Sequence, residues 1–479
     1  LFTLAAATAY GSDSQPVTTT QLVAWLAGGA SSASLARVAK DRGLANLPTQ
    51  NEMRQLASAG AGKDLMQVLN SGNAQSAQIS APIPPALLKG ASEARSSHYH
   101  EAELHLRDAL STVGHDDRNN SALHFALGVM LGHQQQWDDS LDELSEATRL
   151  MPDLAENHSA LAYLFYRLDD GPNAIGEART ALSIDPENAV AYQNLGLALY
   201  SNYQYEPAVH AYEEALARDP GNADTYYDMG IAEHAAGNVP RAIADYQKAI
   251  HLRPAFWEAH SNLGLTLHEQ GDLAQAANEY REAKRIAPGE ASIRNNLGNT
   301  YCDQGNFNAA IDELHELYRQ HPEWPQGHAC LASAYMSKQN YDAAVAELRI
   351  ALRQNPTGSA EHRILGQVLL LDNKPEDALH ELQIAVSLNP DSDIAHRLLG
   401  TILLQRQDMK AAEKEFREAL RVNASADNHY ALAACLISED RYEEALPELE
   451  TAARLDPDRS LYRARREELL KLLKESSSR

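Results

Sequence analysis

Six histidines stand apart by multiples of 34 residues: His124, His158, His260, His328, His362 and His396. Imidazole is the commonest metal ligand and proton shuttle among side chains, so a periodic histidine column is the first place to look for chemistry. Zinc needs its ligands ~2 Å from one shared ion, whereas equivalent residues on successive packed helical units lie about 8–10 Å apart. The six cannot share a metal, and the column is expected to serve packing. His315-Glu316 and His380-Glu381 begin like the H-E-x-x-H zinc motif, but Arg319 and Ile384 stand where the second histidine is needed. Neither a Walker loop, a G-x-S-x-G elbow nor a G-x-G-x-x-G turn occurs. Cys302, Cys330 and Cys435 are odd in number and scattered, which predicts buried thiols rather than a disulfide framework or a metal site. The chain therefore reads as a non-enzyme without metal or cofactor.

The interval of 34 residues belongs to the whole chain and not to histidine alone. Pro152, Pro186, Pro220, Pro254, Pro288, Pro322, Pro356 and Pro390 keep it through seven consecutive steps, the signature of a tandem array of one supersecondary unit. Units opened thirty-one residues before each proline begin at Ser121, Ala155, Ala189, Ala223, Trp257, Ala291, Pro325, Ser359, Asp393 and Asp427. Their eighth residue is always glycine or alanine, as at Gly128, Gly196 and Gly400, and their twentieth is alanine through the ninth unit except at Ser140. From the third unit to the ninth their twenty-fourth is large, as at Tyr212, Tyr246, Leu314 and Phe416. Apolar residues recur at helical spacing twice per unit, around a short polar turn, so each unit is a helical hairpin. Small columns allow close helix approach, and each hairpin completes its core only against a neighbour. Proline ends the second helix, because the residue before it is pushed out of the α region.

These columns resemble the tetratricopeptide repeat (TPR) family, with its bulky fourth residue, Leu-Gly or Leu-Ala at seven and eight, alanine at twenty and twenty-seven, and proline at thirty-two. The resemblance runs from Ser121 to about Arg459 as ten repeats. It implies an all-α solenoid, a right-handed superhelix of hairpins, that binds protein partners. In the last unit Ala445 falls one residue early, and a shortened inter-helix turn at Ser438 to Asp440 is the expected cause. A degenerate unit covers 83–120, with Gly90, Tyr99, Ala102, Leu106 and Ala109 at the family's offsets.

In TPR superhelices the first helices line the concave side and expose residues two, five, six, nine and twelve. Here the sixth column holds Asn194, Asp228, Asn262 and Asn296, flanked by Asn295 and Asn299. This resembles the asparagine ladder in the TPR superhelix of O-GlcNAc transferase, which grips extended peptides by their backbones. A carboxamide suits that task because it both donates and accepts. Tyr163, Tyr166, Tyr200 and Tyr227 occupy inner positions before or beside the ladder, and Arg363 and Arg397 beyond it. The transferase's catalytic domain has no counterpart in this sequence, so glycosyl transfer is not implied.

The remaining segments frame the array. Residues 1–16 contain an apolar run ending in Ala7-Thr8-Ala9, read as the remnant of a secretory signal, which would place the protein in a bacterial periplasm or outside the cell. Residues 17–71 form a small helical module with a Thr49/Glu52 capping box and Gly60 as a stop, and Ser34 is expected to open its second helix. Residues 72–82 read as a linker and 460–479 as a capping helix and tail. The net charge is −25, and residues 121–459 carry 26 basic against 53 acidic side chains. Phosphate binding needs clustered Lys and Arg, so nucleic acid is excluded as a groove ligand. No apolar run reaches the ~18 residues of a membrane span. The sequence thus points to a scaffold that binds an extended polypeptide or assembles a complex; the alternative is a substrate-recruiting subunit of a separately encoded enzyme, such as a glycosyltransferase.

Overall fold

The computed structural model describes residues 15–71, 82–114 and 116–476, which excludes the apolar run at the start and most of the linker. These residues form 27 α-helices, with an isolated parallel bridge between Val17 and Leu44. The chain divides into two compact units, Leu1–Ala259 and His260–Arg479.

In the first unit the N-terminal module contributes α1 (Thr19–Ala27), α2 (Ser32–Arg42), α3 (Gln50–Ala59) and α4 (Lys63–Ser71). Thr18 and Gln21 form a capping box on α1, and Thr49 and Glu52 form another on α3, which ends at left-handed Gly60. Ser31, not Ser34, caps α2, because its hydroxyl takes the Ser34 N–H and starts the helix a turn earlier. All nine residues of α1 are buried. That burial comes from the following hairpins, α5 (Pro85–Arg95) with α6 (Tyr99–Thr112), and α7 (Asp117–His133) with α8 (Trp137–Leu150): α1 packs on α5 and α7.

The hairpins continue as α9 (Ala155–Arg167) with α10 (Gly171–Ile184), α11 (Ala189–Ser201) with α12 (Tyr205–Arg218), and α13 (Ala223–Ala235) with α14 (Val239–Leu252). The residue before each repeat proline is extended, as at Asp185 (φ −127°) and Asp219 (φ −132°). The small eighth column exists because the large residue sixteen positions later lies on it. A Cβ on Gly196 would meet the Tyr212 ring at 2.5 Å, and one on Gly128 would meet Leu144 at 2.6 Å. At Ser140 the hydroxyl instead donates to the Gly128 carbonyl at 2.7 Å, which satisfies the one polar group in the alanine column.

The division into units falls within α15 (Trp257–Glu269). The second unit continues with α16 (Leu273–Ile286), α17 (Ala291–Asp303), α18 (Phe307–Gln320), α19 (His328–Ser337), α20 (Tyr341–Gln354), α21 (Ser359–Leu371), α22 (Pro375–Leu388), α23 (Asp393–Gln405), α24 (Met409–Val422), α25 (Ala426–Ser438), α26 (Tyr442–Leu455) and α27 (Ser460–Ser476). Helix α27 packs on α26, where Tyr462 and Leu469 are buried. The register slip of the last unit is not in its inter-helix turn. That turn keeps the common form, with Asp440 left-handed as Gln407 is in the unit before. The missing residue lies upstream, where Asn423 to Ser425 link α24 to α25 and Asn389 to Ser392 link the preceding pair. Loss of the proline at Ala424 leaves a shorter link, and Ser425 caps α25 directly.

Candidate functional site

The histidine column does more than fill space. In every case Nδ1 meets the glutamate nineteen residues later, on the second helix of the same hairpin: His124–Glu143, His158–Glu177, His260–Glu279, His328–Glu347, His362–Glu381 and His396–Glu415, at 2.5–2.7 Å. His429 does the same with Glu448, because the slip moves it into the fourth place. Arg294 replaces histidine in its repeat and pairs with Glu313. In His158, His362 and His396, Nε2 also meets the carbonyl of the preceding repeat's proline, at 2.8, 3.2 and 3.0 Å. Each such ring therefore ties its hairpin together and to the turn before it. Burial by itself would lower the His158 pKa, but the hydrogen bonds to Glu177 and Pro152 and the Glu177 charge raise it above the ordinary value. The glutamate column was legible in the sequence: where Tyr192 and Tyr226 replace the cation, Ala211 and Asp245 replace glutamate.

The residues expected to face a groove fall into two sets. In the first unit Asn194 is buried, and its Nδ2 donates to the Ser159 carbonyl at 2.8 Å and hydroxyl at 3.1 Å, so half of this amide joins α11 to α9. Its Oδ1 takes no hydrogen bond among the described residues. Gln193 donates to Asp228 at 3.2 Å, and burial pushes that carboxyl up to about 6. Tyr163 is 42% exposed and accepts from Arg167, whose guanidinium also lies over the Trp137 ring. Tyr166 lies 6.1 Å from the Tyr163 ring, Tyr200 pairs with Tyr205, and Tyr227 packs on Phe256. A pocket of about 280 Å³ opens on this face of α7, α9 and α11, with Tyr163, Gln193 and Asn194 in its wall.

In the second unit Asn262, Asn296 and Asn299 are half-buried. Asn295 is buried and donates to Asn296 and Gln326, both at 3.3 Å. Arg363 and Arg397 are half-buried on α21 and α23; burial lowers the Arg363 pKa, against the opposing charges of Asp393 and Glu361.

Cys302 and Cys330 form a disulfide between α17 and α19, with Cα atoms 6.1 Å apart, contrary to the expectation of three free thiols. The twelfth residue of one first helix lies beside the sixth of the next once the hairpins stack, a proximity that a separation of 28 residues hides. Cys435 is a buried free thiol whose pKa burial pushes up to about 11. Among the described residues no cluster of His, Cys, Asp and Glu could hold a metal, and no helix is long and apolar enough to cross a membrane.

Family models described as tetratricopeptide repeat match residues 159–223, 193–255, 227–291, 267–332, 365–428 and 410–460. Comparison with curated proteins returned no match. Among solved structures, a thermophilic TPR protein of Thermus thermophilus is 20% identical, over 38% of this chain and 99% of its own, with a TM-score of 0.33. Yeast Tom70 is 15% identical over 81% of this chain and 94% of its own, with a TM-score of 0.38. PilF of Pseudomonas aeruginosa is 19% identical over 47% and 98%, with a TM-score of 0.40.

Proposed function

Because the chain belongs to the tetratricopeptide-repeat family, whose fold is a protein-interaction scaffold, we propose that it holds an extended polypeptide against the inner faces of its first helices and does no chemistry on it. The observation that carries this reading is the pocket on α7, α9 and α11, which has a half-exposed tyrosine and an amide with an unspent acceptor in its wall. Such groups hold a peptide backbone without reading its side chains. In the second unit Arg363 and Arg397 would offer a client's acidic or carbonyl groups contacts of their own.

The Cys302–Cys330 disulfide supports the further proposal that the protein works outside the cytoplasm, since disulfides persist in oxidising compartments. The test of function is titration of a selected client peptide against the native chain and a variant with Asn194, Asn262 and Asn296 all changed to Ala. At ~0.5–1.5 kcal/mol per hydrogen bond the variant should lose several kcal/mol of affinity if each amide makes one or two bonds. An unchanged affinity, with both proteins folded by circular dichroism, would move the binding surface elsewhere.

A further inference from the structure

The pocket in the first unit is not built by the repeats alone. One wall is the turn between α1 and α2, from Gly28 to Ser34. Gly28 sits so close to α7 that a Cβ there would meet the Phe125 ring at 2.4 Å. Three polar ties fix the module in this place: Ser34 donates to Glu156, Arg37 pairs with Asp185 at 2.7 Å, and Arg42 donates to the Asp153 carbonyl at 2.7 Å. The module thus covers one side of the face that the repeats would otherwise leave open.

We propose that this composite pocket is the anchor for a lysine side chain of the extended client, with its ammonium held by Glu156 and Asn194 and its methylenes lying against Val129 and Leu197. This inference rests on the concave-groove reading and specifies it at one position.

Two acceptors in the pocket wall lack donors. Glu156 is 6% exposed; its Oε1 takes the Ser34 hydroxyl, while its Oε2 has no partner among the described residues. Asn194 spends its amino group on Ser159 and keeps its carbonyl oxygen. A buried carboxyl oxygen without a donor is costly, and a cation is the group that relieves it best. Among the described residues no cation hydrogen-bonds Glu156. Arg37, the nearest candidate, is committed to Asp185 and to the Glu187 carbonyl. His133, in the same wall, is stacked on Tyr99, and burial, with the Arg167 charge, holds its pKa down. Burial also raises the Glu156 carboxyl, with the Asp185 charge adding to the effect and the Ser34 hydroxyl, the residue's own backbone N–H and the Arg37 charge opposing it.

Size and shape select the kind of cation. At about 280 Å³ the pocket lies near the lower limit of ligand sites, ~300 Å³, and takes one side chain rather than a folded element. An ammonium is a compact charge with three rotatable donors on a flexible apolar stem, which suits two separate acceptors at the end of an apolar wall. A guanidinium pairs best with both oxygens of a carboxylate, and Ser34 already occupies one oxygen of Glu156.

The test begins by selecting peptides from a random twelve-residue display library on the full-length chain. The tightest peptide is then measured by fluorescence anisotropy, with its lysine intact and with norleucine in that place. The expected result is one enriched lysine, whose replacement weakens binding to the native chain by about 10- to 100-fold, the range of a charge-assisted hydrogen bond. On Glu156→Gln, which preserves shape and the Ser34 bond, the same replacement should cost less than about twofold. Ala160→Phe, which fills the pocket from α9, gives an independent reading if Glu156→Gln fails to fold, and should likewise abolish the lysine preference.

Peptides that bind tightly without a lysine preference, or a norleucine penalty equal in native and variant chains, would overturn the anchor. The joint change of Asn262 and Asn296 to Ala, which leaves this pocket untouched, separates the two proposals. If that change weakens every selected peptide, the groove reading stands even when the anchor falls. If no peptide is selected, or if that pair has no effect, the groove reading falls too. Equal competition by free pentylamine and by the lysine peptide would show a small-amine site in place of a client anchor.

Discussion

His158 offers the sharpest test of how the hairpins hold together. Its Nδ1 lies 2.6 Å from Glu177 and its Nε2 lies 2.8 Å from the Pro152 carbonyl, so both ring nitrogens face acceptors and both bonds form only when the ring carries two protons. The residue is 8% exposed. A hydrogen bond to a charged group contributes ~1.5–3 kcal/mol, but the Glu177 side chain is 30% exposed and regains water when the ring is removed. His158→Leu should therefore cost about 2 kcal/mol locally at pH 5.5. The pKa in the folded chain is raised above the unfolded value of ~6.5, so the stabilisation is full below that value and fades as pH rises through the folded pKa. The cost of the substitution should accordingly shrink at pH 8.5. Hydrogen exchange in α9 and α10, corrected for intrinsic rates, reads this at both pH values without assuming a two-state transition. Tyr192→Leu serves as the control, since Ala211 stands opposite and no glutamate pairs there. An equal loss of protection at both pH values would refute the charged-ring account.

Ala310→Leu should overpack the contact between α17 and α18 and cost ~1–3 kcal/mol, loosening adjacent hairpins first; unchanged exchange there would reject the packing assignment. Tyr203 is 81% exposed and left-handed (φ 59°), so Tyr203→Gly should raise the melting temperature by relieving ~1 kcal/mol of backbone strain, and a fall would show that its ring contact with Tyr205 matters more. Alkylation followed by mass spectrometry should modify no cysteine in the folded chain, only Cys435 in denaturant, and all three after reduction, given a buried thiol whose pKa lies near 11. Labelling of Cys302 without reductant would exclude the disulfide.

The array was legible because every determinant of a hairpin is local. Proline, glycine and alanine at fixed offsets set the helix ends and the closest approach, and Gly196 under Tyr212 is sixteen residues from its partner. What the sequence hid is what stacking brings together. Arg37 meets Asp185 across 148 residues, and nothing around either one signals the other. For the same reason residues 17–71 read as a small module of their own, although neighbouring hairpins help to bury all of α1. In the amide column stacking also sets the role of the side chain: Asn194 uses its donor to hold α9, 35 residues away in sequence. The histidine column is a packing position whose side chain also carries a polar tie, and the glutamate nineteen residues on was the available signal for it.

The histidine–glutamate pairing also bears on how such a chain can change length. Both partners lie inside one 34-residue period, and the second tie reaches only to the proline that ends the period before. Recombination between two histidine–glutamate repeats that deletes or duplicates a whole period therefore leaves each remaining imidazole with a carboxylate, whatever the point within the repeat at which the crossover falls; a crossover into the repeat that carries Tyr192 and Ala211 does not. A deletion of any other length that falls between a ring and its acid separates the pair and leaves a buried ionisable group behind. The one-residue shortening before α25 escapes this penalty, because it falls between periods and His429 replaces Tyr430 opposite Glu448. Length is in this way adjustable in steps of one hairpin, and a change of another size is tolerated where it falls between periods.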